Sequence, residues 1–212
     1  PATFFTTVRL AQAAPDLVQR LAAGGHELAS HGRVHSSWTE SDLAESRATL
    51  ESLSGLPVRG VRRARFQPVD AETARAAGYL YDASEHPVWI PGRYNRLRGP
   101  RLPRMESGLV RLPASATPCL RLPLFWLAFK RYPEPLYRAL CLRTLRRDGH
   151  VVLVFHPWEF CDLSASGLPR WVRSPDGERL AARLTRLIKW LAGHGDFMTC
   201  SAWVEQALQA RD

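Results

Sequence analysis

Two histidines four positions apart are the residues of this sequence best suited to chemistry. His31 and His35 lie in the segment Ser30-His31-Gly32-Arg33-Val34-His35. Imidazoles at this spacing can share one face of a helical turn or a tight loop after a strand, and imidazole is a favoured ligand for zinc and similar divalent ions. A pair alone is weak evidence, because surface helices carry such pairs by chance. The pattern indicates a metal site that still needs a carboxylate.

A third histidine, His156, follows much later in Phe155-His156-Pro157-Trp158-Glu159. Together with the histidine pair, this segment is typical of a divided metal-hydrolase site. Glu159 has two open interpretations, a hydrogen bond to a ligating histidine or a solvated or backbone-capping role. Trp158 belongs either to the core or to a platform for substrate. The histidines expected at the surface or in turns are His86, His150 and His194.

The elements that must position these residues alternate between helix and strand. Four predicted helices end at a glycine and precede short apolar strands: 16–23 before 25–30, 70–77 before 79–81, 136–147 before 151–155, and 178–192 before 197–199. A further helix is expected between Ser36 and about Leu53, and a long loop over 87–118 is broken by a short strand at 109–112. The alternation predicts an α/β fold with a parallel sheet or barrel, and His31 then follows a strand at the end where active sites of such folds lie.

Length and composition predict a single domain over residues 1–212. The chain is 45% hydrophobic, and its formal charge of +9 comes mostly from arginines spread along the sequence. This spread argues against nucleic acid as a partner, although the basic loop 93–104 could contact phosphate. The cysteines form no C-x-x-C pair and are expected to be buried, reduced thiols: Cys119, Cys141, Cys161 and Cys200.

Targeting signals are absent from the sequence as given, which has neither a signal peptide nor an apolar run long enough to span a bilayer. We expect a monomer, and favour a cytoplasmic or membrane-peripheral location over a periplasmic one. Residues 120–132 mix apolar, aromatic and basic side chains, as a segment at a membrane interface does. Core packing is the default expectation for this segment, and contact with a lipid-linked saccharide at the bilayer is the alternative hypothesis.

In its motifs the sequence resembles the polysaccharide deacetylases, a carbohydrate esterase family with the NodB homology domain. Residues 1–5 resemble the second-strand signature of that family, and residues 25–35 resemble its metal motif. Residues 60–62 and 78–84 resemble its arginine motif and the strand that follows, and 155–160 resemble a branch with an FHPWE strand end. The resemblance implies a distorted (β/α) barrel of the NodB type, which in this chain lacks its first strand.

The resemblance also implies an activity, the metal-dependent removal of N-acetyl groups from an amino sugar in a bacterial polysaccharide or its lipid-linked precursor. His31 and His35 then correspond to metal ligands, with zinc favoured and cobalt or manganese as alternatives. His156 corresponds to the general acid that protonates the leaving amine. Arg62 corresponds to the residue that orients the catalytic base, with Arg63 as the alternative because the proline usual two residues after the family's arginine is missing here.

One departure from the family is large. Its metal-binding aspartate and its basic aspartate lie about one helix upstream of the segment that corresponds to residues 1–5, and the sequence given begins at Pro1. We expect the chain to be a fragment of an active enzyme. The alternatives are a non-catalytic glycan-binding relic of the same fold and a deformylase that acts on an amino sugar.

Overall fold

The structure is a computed structural model that describes residues 1–209. The chain forms two compact units, one of residues 1–85, 102–113 and 197 onward, the other of residues 86–101 and 114–196. The strands are β1 (Thr3–Thr6), β2 (Glu27–Ser30), β3 (Gly60–Val61), β4 (Tyr81–Asp82), β5 (Trp89–Ile90), β6 (Tyr94–Asn95), β7 (Arg104–Glu106) and β8 (Leu109–Arg111). The helices are α1 (Val8–Ala13), α2 (Pro15–Ala23), α3 (Ser41–Ser54), α4 (Ala71–Ala76), α5 (Trp126–Arg131), α6 (Glu134–Asp148), α7 (Arg170–Arg173), α8 (Gly177–Leu191) and α9 (Cys200–Gln209). The single domain over 1–212 stays a prediction, and its residues 210–212 lie outside the described part.

The first unit contains a mainly parallel sheet, which confirms the predicted α/β class. Its strand order is β1-β2-β3-β4-β8-β7, with every neighbouring pair parallel except β7 and β8. Apolar side chains of the sheet and of the helices beside it form one buried cluster, which includes Val18, Leu28, Leu43, Leu50, Val61, Tyr79 and Leu109. Because parallel strands all point the same way, the chain leaves β1, β2, β3 and β4 at one edge of the sheet.

Polar contacts tie α9 to the first two strands of this unit. The backbone N–H of Cys200 donates to Thr3 Oγ1 over 2.8 Å, and that of Ser201 donates to Glu27 Oε2 over 3.0 Å. The buried Glu27 also accepts hydrogen bonds from Thr3 Oγ1 at 2.6 Å and from the hydroxyl of Tyr81 at 2.9 Å. A carboxylate can accept several hydrogen bonds, so Glu27 tolerates its burial.

The helices predicted from amphipathic spacing are confirmed within two residues as α2, α4, α6 and α8. Asp70 caps α4 by accepting the backbone N–H of Thr73 over 2.8 Å. Gly149 ends α6 with a left-handed φ of 75°, a conformation that costs glycine little because it has no Cβ. The helix predicted after the cap candidates 36–39 begins at Ser41, and Asp42 Oδ2 accepts the backbone N–H of Thr39 in the turn before it.

The prediction of a strand over residues 151–155, buried on both faces, is wrong. Val154 forms only an isolated bridge with Phe125, and it alone of these five residues is fully buried. The backbone N–H of Val152 donates to the side-chain oxygen of Ser115 rather than to a backbone carbonyl, and α5 begins directly after Phe125. The neighbouring segment therefore turns away before a ladder of hydrogen bonds can form.

Three smaller predictions are corrected. Residues 197–199 form no strand, because Thr199 precedes α9 and accepts the backbone N–H of Ala202 at its first turn. The strand predicted at 79–81 is shifted to Tyr81–Asp82. The region 87–118 is more ordered than a single loop with one strand, since β5 and β6 pair antiparallel within the second unit and β7 pairs with β8 within the first.

Burial corrects further expectations. His86 is fully buried rather than at the surface, and its Nδ1 lies 2.8 Å from the hydroxyl of Tyr94. Of the cysteines, which form no disulfide, Cys141 is buried but Cys119 and Cys161 are exposed. In the segment 120–132, the side chains of Leu124, Phe125, Trp126 and Phe129 are buried, as core packing predicts. Within the described residues, no helix is both long and apolar enough to cross a bilayer.

Candidate active site

The candidate site of the first unit lies where β1, β2 and β3 end. His31 follows β2 directly, and its backbone N–H donates to the carbonyl of Thr6 in β1 over 2.9 Å. Arg62 follows β3, and its backbone N–H donates to the carbonyl of Ser30 over 2.9 Å. Hydrogen bonding between the strands therefore continues one residue past their ends and fixes His31 beside Arg62.

His31 and His35 approach each other, as the spacing predicted. Their ring centroids are 5.4 Å apart with the planes tilted by 51°, and the connecting residues form a loop rather than a helical turn. Gly32 makes the loop tight, since its φ is 78° and a Cβ there would press against the ring of Trp38. His31 is half-buried and His35 is exposed.

The Nδ1 atom of His31 lies 2.5 Å from the backbone carbonyl of Arg62. A carbonyl oxygen only accepts hydrogen bonds, so this contact requires the proton on Nδ1. The other nitrogen, Nε2, is then the one with a lone pair for a metal. Metal-binding histidines are commonly oriented in this way by a backbone carbonyl.

The histidine pair fits a divalent ion as two of its ligands. Two imidazoles bound to one tetrahedral zinc ion through bonds of about 2.0–2.1 Å place their ring centres roughly 5 Å apart, close to the spacing of His31 and His35. A protein-held metal usually has at least three ligands from the chain. Within residues 1–209, however, no group of three or more His, Cys, Asp or Glu side chains is placed to hold an ion. The described residues therefore supply two of the ligands that a divalent ion needs, His31 and His35.

Arg62 and Arg63 differ sharply in their surroundings. Arg62 is buried, its guanidinium lies 4.0 Å from the centroid of the Phe5 ring, and its Nε donates to the carbonyl of Ala83 over 2.9 Å. Burial lowers the pKa of Arg62, and Cys200, Tyr81 and Asp82 partly oppose that shift. Arg63 is more exposed, with its guanidinium 5.1 Å from the ring of Trp38. Arg62 is thus the arginine held rigidly at the strand end.

Replacing Arg62 with lysine is expected to lower the free energy of unfolding by about 1–3 kcal/mol, because the buried carbonyl of Ala83 loses its donor and Phe5 loses the planar cation. Arg63→Lys is the matched control, with a smaller expected loss, because Arg63 is less buried and its guanidinium bonds the exposed carbonyl of Pro68. Urea unfolding followed by circular dichroism measures both. Equal losses for the two variants would contradict the assignment of Arg62 as the fixed arginine.

Asp82 is a buried carboxylate at the same edge of the sheet that sequence reasoning did not single out. It accepts hydrogen bonds from Ser84 and, over 2.6 Å, from Arg111. Burial raises the pKa of Asp82, opposed by its bonds to Ser84 and Arg111. Its oxygens are committed to these partners, so Asp82 does not complete the histidine pair. The feature of the sequence that could have identified Asp82 is an acidic residue at the end of a predicted apolar strand.

His156 belongs to the second unit and begins a short 3-10 helix, Pro157–Phe160. Its side chain is 40% exposed, and its ring stacks on Trp158 with centroids 5.6 Å apart and planes inclined by 23°. Trp158 is itself 40% exposed, so it is a surface residue and not part of the core. Glu159 is fully buried and caps the backbone N–H of His156 over 2.8 Å, which confirms the backbone-capping interpretation.

The structure thus brings together His31, His35 and Arg62 in the first unit, and His156 with Trp158 and Glu159 in the second. The sequence profile of the polysaccharide deacetylase family matches residues 1–62, which contain the histidine pair and Arg62. Solved structures with the same fold include proteins described as polysaccharide deacetylases from Mycobacterium smegmatis (20% identity, TM-score 0.64) and Pseudomonas aeruginosa (16% identity, TM-score 0.59). Residues 1–62 therefore match the polysaccharide deacetylase family, and the fold of the chain is similar to solved structures described as such deacetylases.

The fold of this family also occurs in a protein without the activity. The chain is similar, at 11% identity and a TM-score of 0.51, to a Bacillus anthracis protein described as a pseudoenzyme of carbohydrate esterase family 4. The three alignments cover 100%, 96% and 95% of this chain, which spans 72%, 66% and 54% of the respective proteins. No curated protein sequence matches the chain. These similarities establish the fold, whereas substrate and activity have to be argued from the site.

Proposed function

We propose that this chain forms part of a metal-dependent deacetylase that removes N-acetyl groups from an amino sugar in a bacterial polysaccharide or its lipid-linked precursor. The observation that carries the proposal is the contact between His31 and His35 at the end of β2, with Nδ1 of His31 directed to a backbone carbonyl. With the proton on Nδ1, Nε2 is the nitrogen of His31 whose lone pair can coordinate an ion. The same residues lie in the segment that matches the polysaccharide deacetylase profile.

His31 and His35 would hold a divalent ion, zinc in first place and cobalt or manganese as alternatives, together with a carboxylate that the described residues do not supply. When bound, such an ion polarises the acyl carbonyl and activates the attacking water. Arg62 is held rigidly enough by Phe5 and Ala83 to orient a neighbouring carboxylate that acts as the base.

His156 is proposed as the general acid. When the bond between the acyl carbon and the nitrogen breaks, its electron pair goes to nitrogen. The nitrogen takes the Nε2 proton of doubly protonated His156, which becomes neutral, and leaves as the free amine of the sugar. Trp158, exposed and stacked on His156, offers an apolar face against which a sugar ring can lie. The products are acetate and the deacetylated saccharide.

Titration of the chain with zinc and cobalt, followed by calorimetry and by the absorption of bound cobalt, tests the metal site. Mutation of a residue that only orients a metal ligand typically lowers metal affinity by roughly 10–100-fold. Loss of a ligand itself should lower the affinity by more. His31→Ala and His35→Ala are therefore each expected to weaken binding by at least about 100-fold. His194→Ala is the control, because His194 is exposed and bonded to the carbonyl of Trp190. Equal affinity of all three variants would exclude the pair as ligands.

Acetate release from N-acetylglucosamine oligomers by the native full-length protein tests the reaction itself. Release that depends on metal and is abolished by His31→Ala supports a deacetylase. Formate release from an N-formyl sugar in place of acetate would instead indicate the deformylase.

A non-catalytic glycan-binding protein is the second candidate. Two observations favour it: the described residues hold only two ligands, and a protein of the same fold is described as a pseudoenzyme. This candidate predicts that the native protein binds saccharide equally well with and without a chelator and releases no product. The proposed deacetylase predicts the opposite on both counts.

A further inference from the structure

Glu159 makes a second contact with His156 besides capping its backbone. Its Oε1 atom lies 2.7 Å from Nδ1 of His156 and 2.8 Å from the backbone nitrogen of the same residue. The backbone N–H of Glu159 in turn bonds the carbonyl of His156 over 3.1 Å. Pro157 starts the 3-10 helix with a preset φ, so the turn delivers Glu159 back onto His156.

The chemistry of the contact fixes the position of one proton. An ionised carboxylate has no hydrogen to donate, and the backbone N–H already donates to Oε1. The 2.7 Å approach of Nδ1 to that oxygen is therefore a hydrogen bond with the proton on Nδ1. Nε2 is the nitrogen left to exchange a proton with a ligand.

The two residues of this contact differ in burial. Glu159 is fully buried, whereas the side chain of His156 is 40% exposed. The ring of Trp126 meets the edge of His156 at a centroid distance of 5.7 Å and an angle of 75°, and Trp158 stacks on its face. The imidazole is held at one nitrogen and on two sides, while part of it faces solvent.

Lys130 supplies a positive charge to the same cluster. Its ammonium lies 5.6 Å from the ring of Trp126 and 5.7 Å from that of Trp158, and it donates to the carbonyl of Val172 over 3.2 Å. Burial lowers the pKa of Lys130, and the charge of Glu159 raises it in part.

We propose that Glu159 is a positioning residue that keeps one proton of His156 on Nδ1. When His156 is doubly protonated, the second proton, on Nε2, is then the one delivered to the leaving amine, and the neutral ring with its proton on Nδ1 remains. The catalytic part of this inference rests on the proposed function, in which His156 is the acid. The proton position does not, since it is a property of the chain without substrate.

Nitrogen-15 NMR of the histidine side chains tests the proton position. Wild-type His156 is expected to show a protonated Nδ1 even in its neutral form, whereas free neutral histidine prefers the proton on Nε2. Glu159→Met fills the same space without an acceptor and should move His156 to the Nε2-protonated form. Glu159→Gln keeps an acceptor oxygen and should restore the Nδ1 proton. Glu178→Met is the control on the exposed first turn of α8 and should change nothing.

An Nε2-protonated neutral His156 in the wild-type chain would overturn the proposal without any variant, so the test survives a Glu159→Met protein that fails to fold. Retention of the Nδ1 proton in a folded Glu159→Met protein would overturn it as well.

Kinetics on the native full-length protein test the catalytic part. Glu159→Met should lower kcat by about 10–100-fold with little change in KM, because the acid is misoriented while the saccharide surface stays intact. Glu159→Gln should recover part of the loss. An unchanged kcat in a variant whose Nδ1 proton is lost would show that the contact has no catalytic role. A wild-type protein that releases no acetate would refute the proposed function, while the NMR result still decides the proton position.

Discussion

Replacing His156 with glutamine in the native protein is expected to lower kcat for acetate release by about 10²–10⁴-fold, the range that a general acid contributes. Glutamine fills a similar volume, but its amide cannot give up a proton to the departing nitrogen. KM should change little, since Trp158 still presents its exposed face. Initial rates measured over a range of saccharide concentrations separate the two constants.

A second substrate sharpens this test. An N-acetyl compound with an activated leaving group, such as a nitroanilide, departs without help from an acid. The Gln variant should therefore lose far less activity on that compound than on the saccharide. His194→Gln, which alters an exposed histidine of the same unit, should stay within about twofold of wild type on both. Equal losses of the His156 variant on both substrates would refute the role of acid.

Gly60→Ala is expected to lower the free energy of unfolding by about 3–5 kcal/mol or to prevent folding. Gly60 pairs with Tyr81 across β3 and β4, and the phenol ring of Tyr81 occupies the space where a Cβ of residue 60 would lie. Tyr81 is fully buried, so its ring cannot swing into solvent. Moving it would also break its hydrogen bond to the buried Glu27. Urea unfolding monitored by near-ultraviolet circular dichroism reports both the stability and the tyrosine environment.

Gly193→Ala is the matched control for this prediction. Gly193 follows α8, and a Cβ there meets only the carbonyl of Trp190 at 3.5 Å, an ordinary van der Waals distance. The free energy of unfolding of the Gly193→Ala protein should stay within about 1 kcal/mol of wild type. Replacing glycine with alanine at a compatible position is neutral or mildly stabilising. Similar stability of both variants would show that the packing of the Tyr81 ring does not require glycine at position 60.

Local signals in the sequence predicted the histidine pair and five of the helices, α2, α3, α4, α6 and α8. Helices such as α8 carry one apolar stripe and end near a glycine, so their positions follow from spacing within a single segment. The approach of His31 to His35 is also local, because only three residues separate them and one of these is Gly32, which makes the loop tight. The resemblance to polysaccharide deacetylases extended these signals to the fold class.

Contacts between segments that are distant in the sequence could not be predicted from the sequence alone. The segment 151–155 is as apolar as a buried strand, but strand formation requires a neighbour, and Ser115 and Phe125 provide only isolated bonds. His86 looked like a turn residue, and its burial depends on Tyr94 and on Phe125, whose ring centroid lies 5.0 Å away. The hydrogen-bond partner of Glu159 is His156 and not a candidate metal ligand, because the 3-10 turn places Glu159 beside His156.

The hydrogen bonds between α9 and the first two strands bear on the order in which the protein can mature on the ribosome. Thr3 and Glu27 are made 197 and 174 residues before Cys200 and Ser201, whose backbone N–H groups they bond. The entire second unit, residues 86–101 and 114–196, must therefore be synthesised before these polar groups meet their partners. The larger part of the second unit is contiguous in sequence, so it can mature first.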